Sequence, residues 1–230
     1  MNGDDSIQLT NSLGINRYIF SEKKNSDVKI KYSWNQRDLI SVLYVKNIQI
    51  ISKLIGNYNL YNIAAAITIG NYFQVPLKKI KKAIEEYVPN SYRSQIVEIK
   101  KIKIIMDCYN ANPTSMKKSI SYFNQIKGNK MAILGDMLEL GFSSFKEHKK
   151  IVIELENSNI NTVFLIGKIF FSITIKNSEK IKKFINKNIF KKWIQDYYSS
   201  SISNSTTHKI DLILIKGSRK NSLETLIDLI

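Results

Sequence analysis

Asp107-Cys108-Tyr109-Asn110-Ala111-Asn112-Pro113-Thr114-Ser115-Met116 gathers more chemistry than any other run in the chain. Four apolar residues, Ile102, Ile104, Ile105 and Met106, lead into the acid, and Pro113 stands where a helix would begin. This pattern predicts a strand, a polar turn and a helix start, the usual place for a ligand in an α/β domain. A carboxylate at such a strand end suits ribose hydroxyls, and the helix start favours an anion. Asn112 also has the position and type of an N-cap. Cys108 reads as a small buried thiol.

Four other groups could do chemistry. Asn59 and Asn62 are three apart, so their carboxamides share one face of a helical turn. Such a pair matches the donor and acceptor edge of a purine, and it equally suits helix capping. Arg93 follows a break at Pro89-Asn90-Ser91, where it is either a surface charge or a guanidinium able to reach a nucleotide phosphate. The run Leu134-Gly135-Asp136-Met137-Leu138-Glu139-Leu140-Gly141 puts two acids, Asp136 and Glu139, between glycines that allow backbone to approach a ligand. Lys216-Gly217-Ser218-Arg219 is either a carboxylate-binding strand end or a basic turn. His148 shares an apolar helical face with Phe145, Val152 and Leu155, which suits a satisfied core histidine better than a catalytic one.

The elements that must position these groups fall into two blocks. Strands are expected at 15–20, 28–34, 39–45 and 48–54, from Ile, Val and Tyr with polar breaks. At 57–73 the period changes, with Leu60, Ile63, Ala64, Ile67 and Phe73 on one helical face. Pro76 opens a second helix with Leu77, Ile80, Ala83, Ile84 and Tyr87 inward. A domain boundary is expected at residue 90, giving domains 1–90 and 91–230. Beyond it strands at 102–107, 130–135, 162–167 and 210–216 alternate with helices at 113–126, 144–157 and 222–229. That alternation implies a mainly parallel sheet covered by helices. Ser144 and Glu147 form a capping-box pair. Residues 181–185 suggest a strand, 187–198 a helix and 199–207 a polar loop.

The totals narrow the class. The 230 residues suffice for one large core or two small ones. A net charge of +16 comes mostly from lysines interleaved with Ile and Asn, and they form no long block. They read as solvated faces and give no reason to expect specific nucleic-acid binding. One cysteine excludes an intramolecular disulfide and any multi-cysteine metal site. No apolar run approaches the ~20 residues that span a bilayer. The acidic start, Met1-Asn2-Gly3-Asp4-Asp5, lacks the apolar stretch of a signal peptide, so a cytoplasmic location is expected.

The run at 107–116 resembles the DDYNANPxSM signature of the Mur ligases. The run at 134–141 is similar to their GDMxELG, and 213–219 to LxKGSR. Residues 56–62 resemble G-x-H-N-x-x-N, with Tyr58 in place of the His. Asn2-Gly3-Asp4-Asp5 resembles the NxDD segment of the family's central domain. The resemblance implies the last part of a central ATPase-type domain (strands plus two helices), then a Rossmann-like C-terminal domain. It implies peptidoglycan-precursor chemistry: an ATP- and Mg²⁺-dependent ligase joining D-Ala-D-Ala to UDP-muramoyl tripeptide. Asn59, Asn62, Arg93 and Asp107 would then contact the nucleotide. Asn110, Asn112, Asp136, Glu139, Lys216, Ser218 and Arg219 would serve the dipeptide. Truncating Asp107 is expected to weaken ATP use and leave the fold intact. No residue is assigned a catalytic or metal-binding role, because the chain has no Gly-rich Lys-Thr loop to cradle phosphates. A separately encoded N-terminal half is the partner expected of a split ligase. A non-catalytic remnant and a basic nucleic-acid-binding α/β module are the alternatives.

Overall fold

The computed structural model describes residues 1–23, 25–35, 39–89, 92–177, 179–201 and 210–230. The chain divides into two compact units, Met1–Pro89 and Asn90–Ile230.

In the first unit, α1 (Ser6–Asn11) is followed by β1 (Phe20–Ser21), β2 (Val28–Asn35), β3 (Ile40–Val45), β4 (Ile48–Ser52), α2 (Asn57–Tyr72) and α3 (Leu77–Glu86). The strands form one sheet in the order β1-β2-β3-β4. Lys46 and Asn47, both left-handed at φ 48° and 64°, join β3 to β4. Two such residues give the turn whose twist matches an antiparallel pair. Ile30, Leu43, Ile50, Ile63, Ala64 and Ile67 make the core beneath α2. α3 is held to β4 by Lys81 and Glu85, which pair with each other at 2.5 Å. Lys81 also donates to the Gln49 carbonyl, and the Glu85 carboxylate accepts from Ile51 N–H.

Two expectations change here, and one element is new. The strand expected at 15–20 shrinks to Phe20–Ser21, because Ile15 lies in solvent, 65% exposed. α1 was not legible: it buries nothing and so has no apolar period, and it rests on Asp5 capping Ile7 and Gln8. Phe73 and Tyr87 are exposed, since each stands just past the end of its helix, where the phase no longer holds, and Ala83 is exposed on a helix that buries Ile80.

The second unit contains β5 (Gln95–Ile99), β6 (Ile102–Asp107), α4 (Pro113–Gln125), β7 (Lys130–Gly135), α5 (Ser144–Glu156), β8 (Thr162–Ile166), α6 (Lys168–Ser172), β9 (Ile181–Phe184), α7 (Lys187–Ser201) and β10 (Leu212–Lys216). Short 3-10 turns occupy Gly141–Ser143, Arg219–Asn221 and Leu223–Leu229. The six-stranded sheet runs β5-β6-β10-β7-β8-β9. Only β5, an edge strand, is antiparallel. Every residue of β7 and β10 is buried, as expected of central parallel strands covered on both faces. Ile104, Met106, Ile133, Phe164, Phe190 and Ile215 anchor the core. The sheet is Rossmann-like and mainly parallel.

β5 escapes sequence reading because it is a half-buried edge with little alternation. The expected Ser144/Glu147 capping box is absent. Ser143 is the N-cap and makes no side-chain cap bond, because the 3-10 turn before it already supplies helical backbone. The last expected helix is a 3-10 run, entered through a left-handed Ser222 at φ 46°. α7 reaches Ser201, which shortens the expected loop, and the remainder of that loop lies outside the described residues.

Candidate functional site

Parallel register decides the geometry at the carboxyl ends of β6, β10 and β7. Lys216 pairs in register with Asp107 on one side and Leu134 on the other. Lys216 is 1% exposed, and its Nζ donates to Asp107 Oδ2 at 2.5 Å. The same carboxylate accepts from Ser119 Oγ at 3.2 Å and Ser94 N–H at 3.3 Å. Lys216 also reaches the Asn110 carbonyl at 3.4 Å. Asp107 is thus the counter-charge of a buried ammonium. Truncating it would strand that charge, so the expectation of an intact fold gives way. Beside it the Cys108 thiol donates to the Ile215 carbonyl at 3.3 Å. Burial, then the charges of Asp107 and Glu224, push the thiol up to about 12, which makes it inert.

Asn112 caps α4 in a reciprocal box. Its side chain accepts from Ser115 N–H at 2.8 Å, and Ser115 Oγ accepts from Asn112 N–H at 3.1 Å. The Asn110 side chain is exposed on the same turn. Arg93 is exposed with its guanidinium 3.6 Å from the centre of the Tyr109 ring. Tyr92 and Ser94, on either side, are both left-handed at φ 58° and 50°. Non-glycine residues adopt this conformation rarely, and they cluster at functional turns. Arg219 is committed elsewhere: it donates to Glu224 Oε1 at 2.9 Å and lies 5.7 Å over Tyr92.

The loop after β7 is clamped at three consecutive residues by side chains from three places. Asn221 Nδ2 donates to the Asp136 carbonyl at 2.7 Å. Met137 N–H donates to His148 Nε2 at 2.9 Å. Leu138 N–H donates to Ser218 Oγ at 3.0 Å. His148 is fully buried, with Nδ1 2.7 Å from the Ser144 carbonyl. Donating there and accepting from Met137 requires a neutral ring protonated at Nδ1. Burial holds its pKa below the ordinary value, against the pull of the Ser144 carbonyl and Asp136. Phe145, expected beside His148, is instead exposed. The Asp136 carboxylate accepts from Ile169 and Phe170 N–H, both at 3.0 Å, and so caps α6. Glu139 is exposed at the tip of the loop, left-handed at φ 67°.

A cleft of about 380 Å³ opens next to this loop, at the ends of β8 and β9. Lys168, Asn186, Lys187, Lys220 and Asn221 contribute to its walls. None of these five stands out in the sequence, because only the strand order brings them together. Gly167, at φ 134°, is required there, since a Cβ would lie 2.2 Å from the Asp136 carboxyl carbon.

In the first unit, Asn59 is buried and its carboxamide is used internally. It donates to the Ile55 carbonyl at 2.6 Å and accepts from Asn62 Nδ2 at 2.9 Å. Asn62 itself is exposed. The Tyr58 ring lies against Gly56, where a Cβ would come within 2.5 Å of it. Among the described residues no group of three or more His, Cys, Asp or Glu could hold a metal ion.

The sequence pattern of the Mur ligase, glutamate ligase domain matches residues 92–219, more than half of the chain. The chain belongs to the Mur ligase family. A UDP-N-acetylmuramoyl-tripeptide--D-alanyl-D-alanine ligase of Buchnera aphidicola is 37% identical over 177 residues, which are 76% of this chain and 36% of that protein. The crystal structure of MurF from Acinetobacter baumannii superposes with a TM-score of 0.74 at 25% identity, covering 92% of this chain and 46% of that one. MurF of Thermotoga maritima, solved in complex with ADP, shares the fold with a TM-score of 0.73 at 22% identity, over 98% of this chain and 51% of that one. The chain therefore spans between about a third and a half of the length of these Mur ligases.

Proposed function

We propose that this chain supplies the C-terminal part of an ATP-dependent Mur ligase that joins D-alanyl-D-alanine to UDP-N-acetylmuramoyl-tripeptide. The first unit is read as the end of the central domain and the second as the C-terminal domain. The observation that carries the reading is the placement of the second unit's motifs. Asp107–Asn112, Asp136–Glu139 and Lys216–Arg219 all follow the carboxyl ends of neighbouring parallel strands, where open α/β sheets bind ligands.

In the reaction, the terminal carboxylate of the tripeptide takes the γ-phosphoryl group of ATP and releases ADP. The amine of the dipeptide attacks the acyl carbon, phosphate leaves, and the amine loses a proton. Residues of this chain bind and orient. In the first unit the exposed Asn62, held by Asn59, is the group available to a purine edge. In the second, Arg93, stacked on Tyr109, is available to a phosphate. Asp107 contributes to a ribose site only as a partner of Lys216. The clamped loop at 136–138 and the exposed carboxamide of Asn110 line the dipeptide side. No converging acidic group fits Mg²⁺ among the described residues, so no step is assigned through that ion here. The rest of such a ligase, on the same polypeptide or a separate one, is then a required partner.

A chimera tests this. The corresponding C-terminal part of the Acinetobacter ligase is replaced by this chain, and phosphate release is followed with UDP-tripeptide, ATP and D-Ala-D-Ala. Release that requires the dipeptide is expected from the chimera and not from this chain alone. A folded chimera that binds ATP yet releases no phosphate would refute the reading. So would dipeptide-dependent release by this chain alone.

A further inference from the structure

The cations expected from the sequence to receive a carboxylate are already neutralised. Lys216 is buried against Asp107, and Arg219 is paired with Glu224. Besides Arg93, which stacks on Tyr109, unneutralised charge at the second unit's ligand edge lies in the cleft at the ends of β8 and β9. Lys168, Lys187 and Lys220 line it, and Asp136 is the one carboxylate in its lining. Both Asp136 oxygens are occupied by the N–H groups of α6. Lys187 is fixed by donating to the Ser222 carbonyl at 2.9 Å. Lys168 and Lys220 are exposed. The cleft is thus a polar cavity with a surplus of positive charge, walled by a loop held rigid at three consecutive residues.

We propose that this cleft binds the terminal carboxylate of the incoming peptide acceptor, through Lys168 and Lys220, with Asn186 beside them. The identity of the acceptor as D-Ala-D-Ala rests on the function proposed above, whereas the anion chemistry stands on the cleft itself. Reach supports the assignment. β8 lies two strands from β10, which is about 10 Å at ~4.8 Å per strand. An extended dipeptide spans ~7 Å. With its carboxylate in the cleft, its amine falls over the end of β7, beside the clamped loop, and short of β10.

The test is an NMR titration of the isotopically labelled full chain with D-Ala-D-Ala, its C-terminal amide and inorganic phosphate. D-Ala-D-Ala should shift the amides of Gly167, Lys168 and Asn221, and the amide form should bind much more weakly. Lys168→Ala and Lys220→Ala should each weaken binding about three- to tenfold, as loss of one exposed charge-assisted contact would. Lys79→Ala, in the first unit, should not. The proposal fails if dipeptide and amide bind alike, if the shifts centre on Lys216 and Arg219, or if no saturable shift appears at the highest soluble dipeptide concentration. Phosphate shifting the cleft while the dipeptide does not would overturn the dipeptide assignment alone, leaving the ligase reading to the chimera.

Discussion

Lys216 and Asp107 carry the largest single-residue consequence. Removing one member of a buried pair leaves an uncompensated charge and typically costs about 3–5 kcal/mol, whereas replacing both costs far less. Asp107→Ala should therefore lower the denaturant midpoint strongly, and Asp107→Ala with Lys216→Met should recover much of it. Equal loss in the single and double variants would show that the charge is not stranded. His148 gives a pH signature. Its folded pKa lies below the ordinary 6.5, so the unfolded chain binds the proton more readily. Its contribution is complete above that ordinary value and is lost as pH falls through it toward the lower folded value. Unfolding curves from pH 7.5 to 5.5 should show the native chain weakening, while a His148→Gln variant starts weaker and changes less. A parallel pH slope in both would place the titration elsewhere.

At the scale of elements, caps do work that amphipathic patterns do not reveal. α4 begins with a reciprocal Asn112–Ser115 box and Pro113. Losing an N-cap side chain costs about 0.5–2 kcal/mol. Asn112→Ala should lower the unfolding free energy by that amount and the thermal midpoint with it, and Asn112→Asp should not; an unchanged midpoint in the alanine variant would mean that the box contributes nothing. α6 depends on Asp136 in the same way, with Gly167 admitting the carboxylate. The element pattern of the second unit was legible because β6, β7, β8 and β10 are continuous apolar runs separated by amphipathic helices. β5, α1 and α6 were not, because an edge strand and short capped helices bury too little to leave a period.

For the whole molecule, charge is the property most open to misreading. The chain carries +16 overall, and such a surplus by itself gives non-specific DNA affinity of about 10⁻⁴–10⁻⁶ M, steeply salt-dependent. Fluorescence titrations with unrelated duplexes should agree with one another and weaken together as salt rises. A tight, sequence-selective complex at physiological salt would instead favour the nucleic-acid reading. The sequence by itself determined the motif words, the strand and helix alternation of the second unit, and hence the family and the Rossmann-like sheet. These depend on local residue order and period, which a chain displays without being folded. It did not determine which charges meet. Lys216 and Asp107 are 109 residues apart, and they pair because β10 inserts between β6 and β7. That insertion spends Lys216, an expected carboxylate ligand, on Asp107, and the strand order leaves Lys168, Lys187 and Lys220 lining an open cleft. Only tertiary structure could decide this, because strand order is set by which faces pack together and leaves no periodic mark in the sequence.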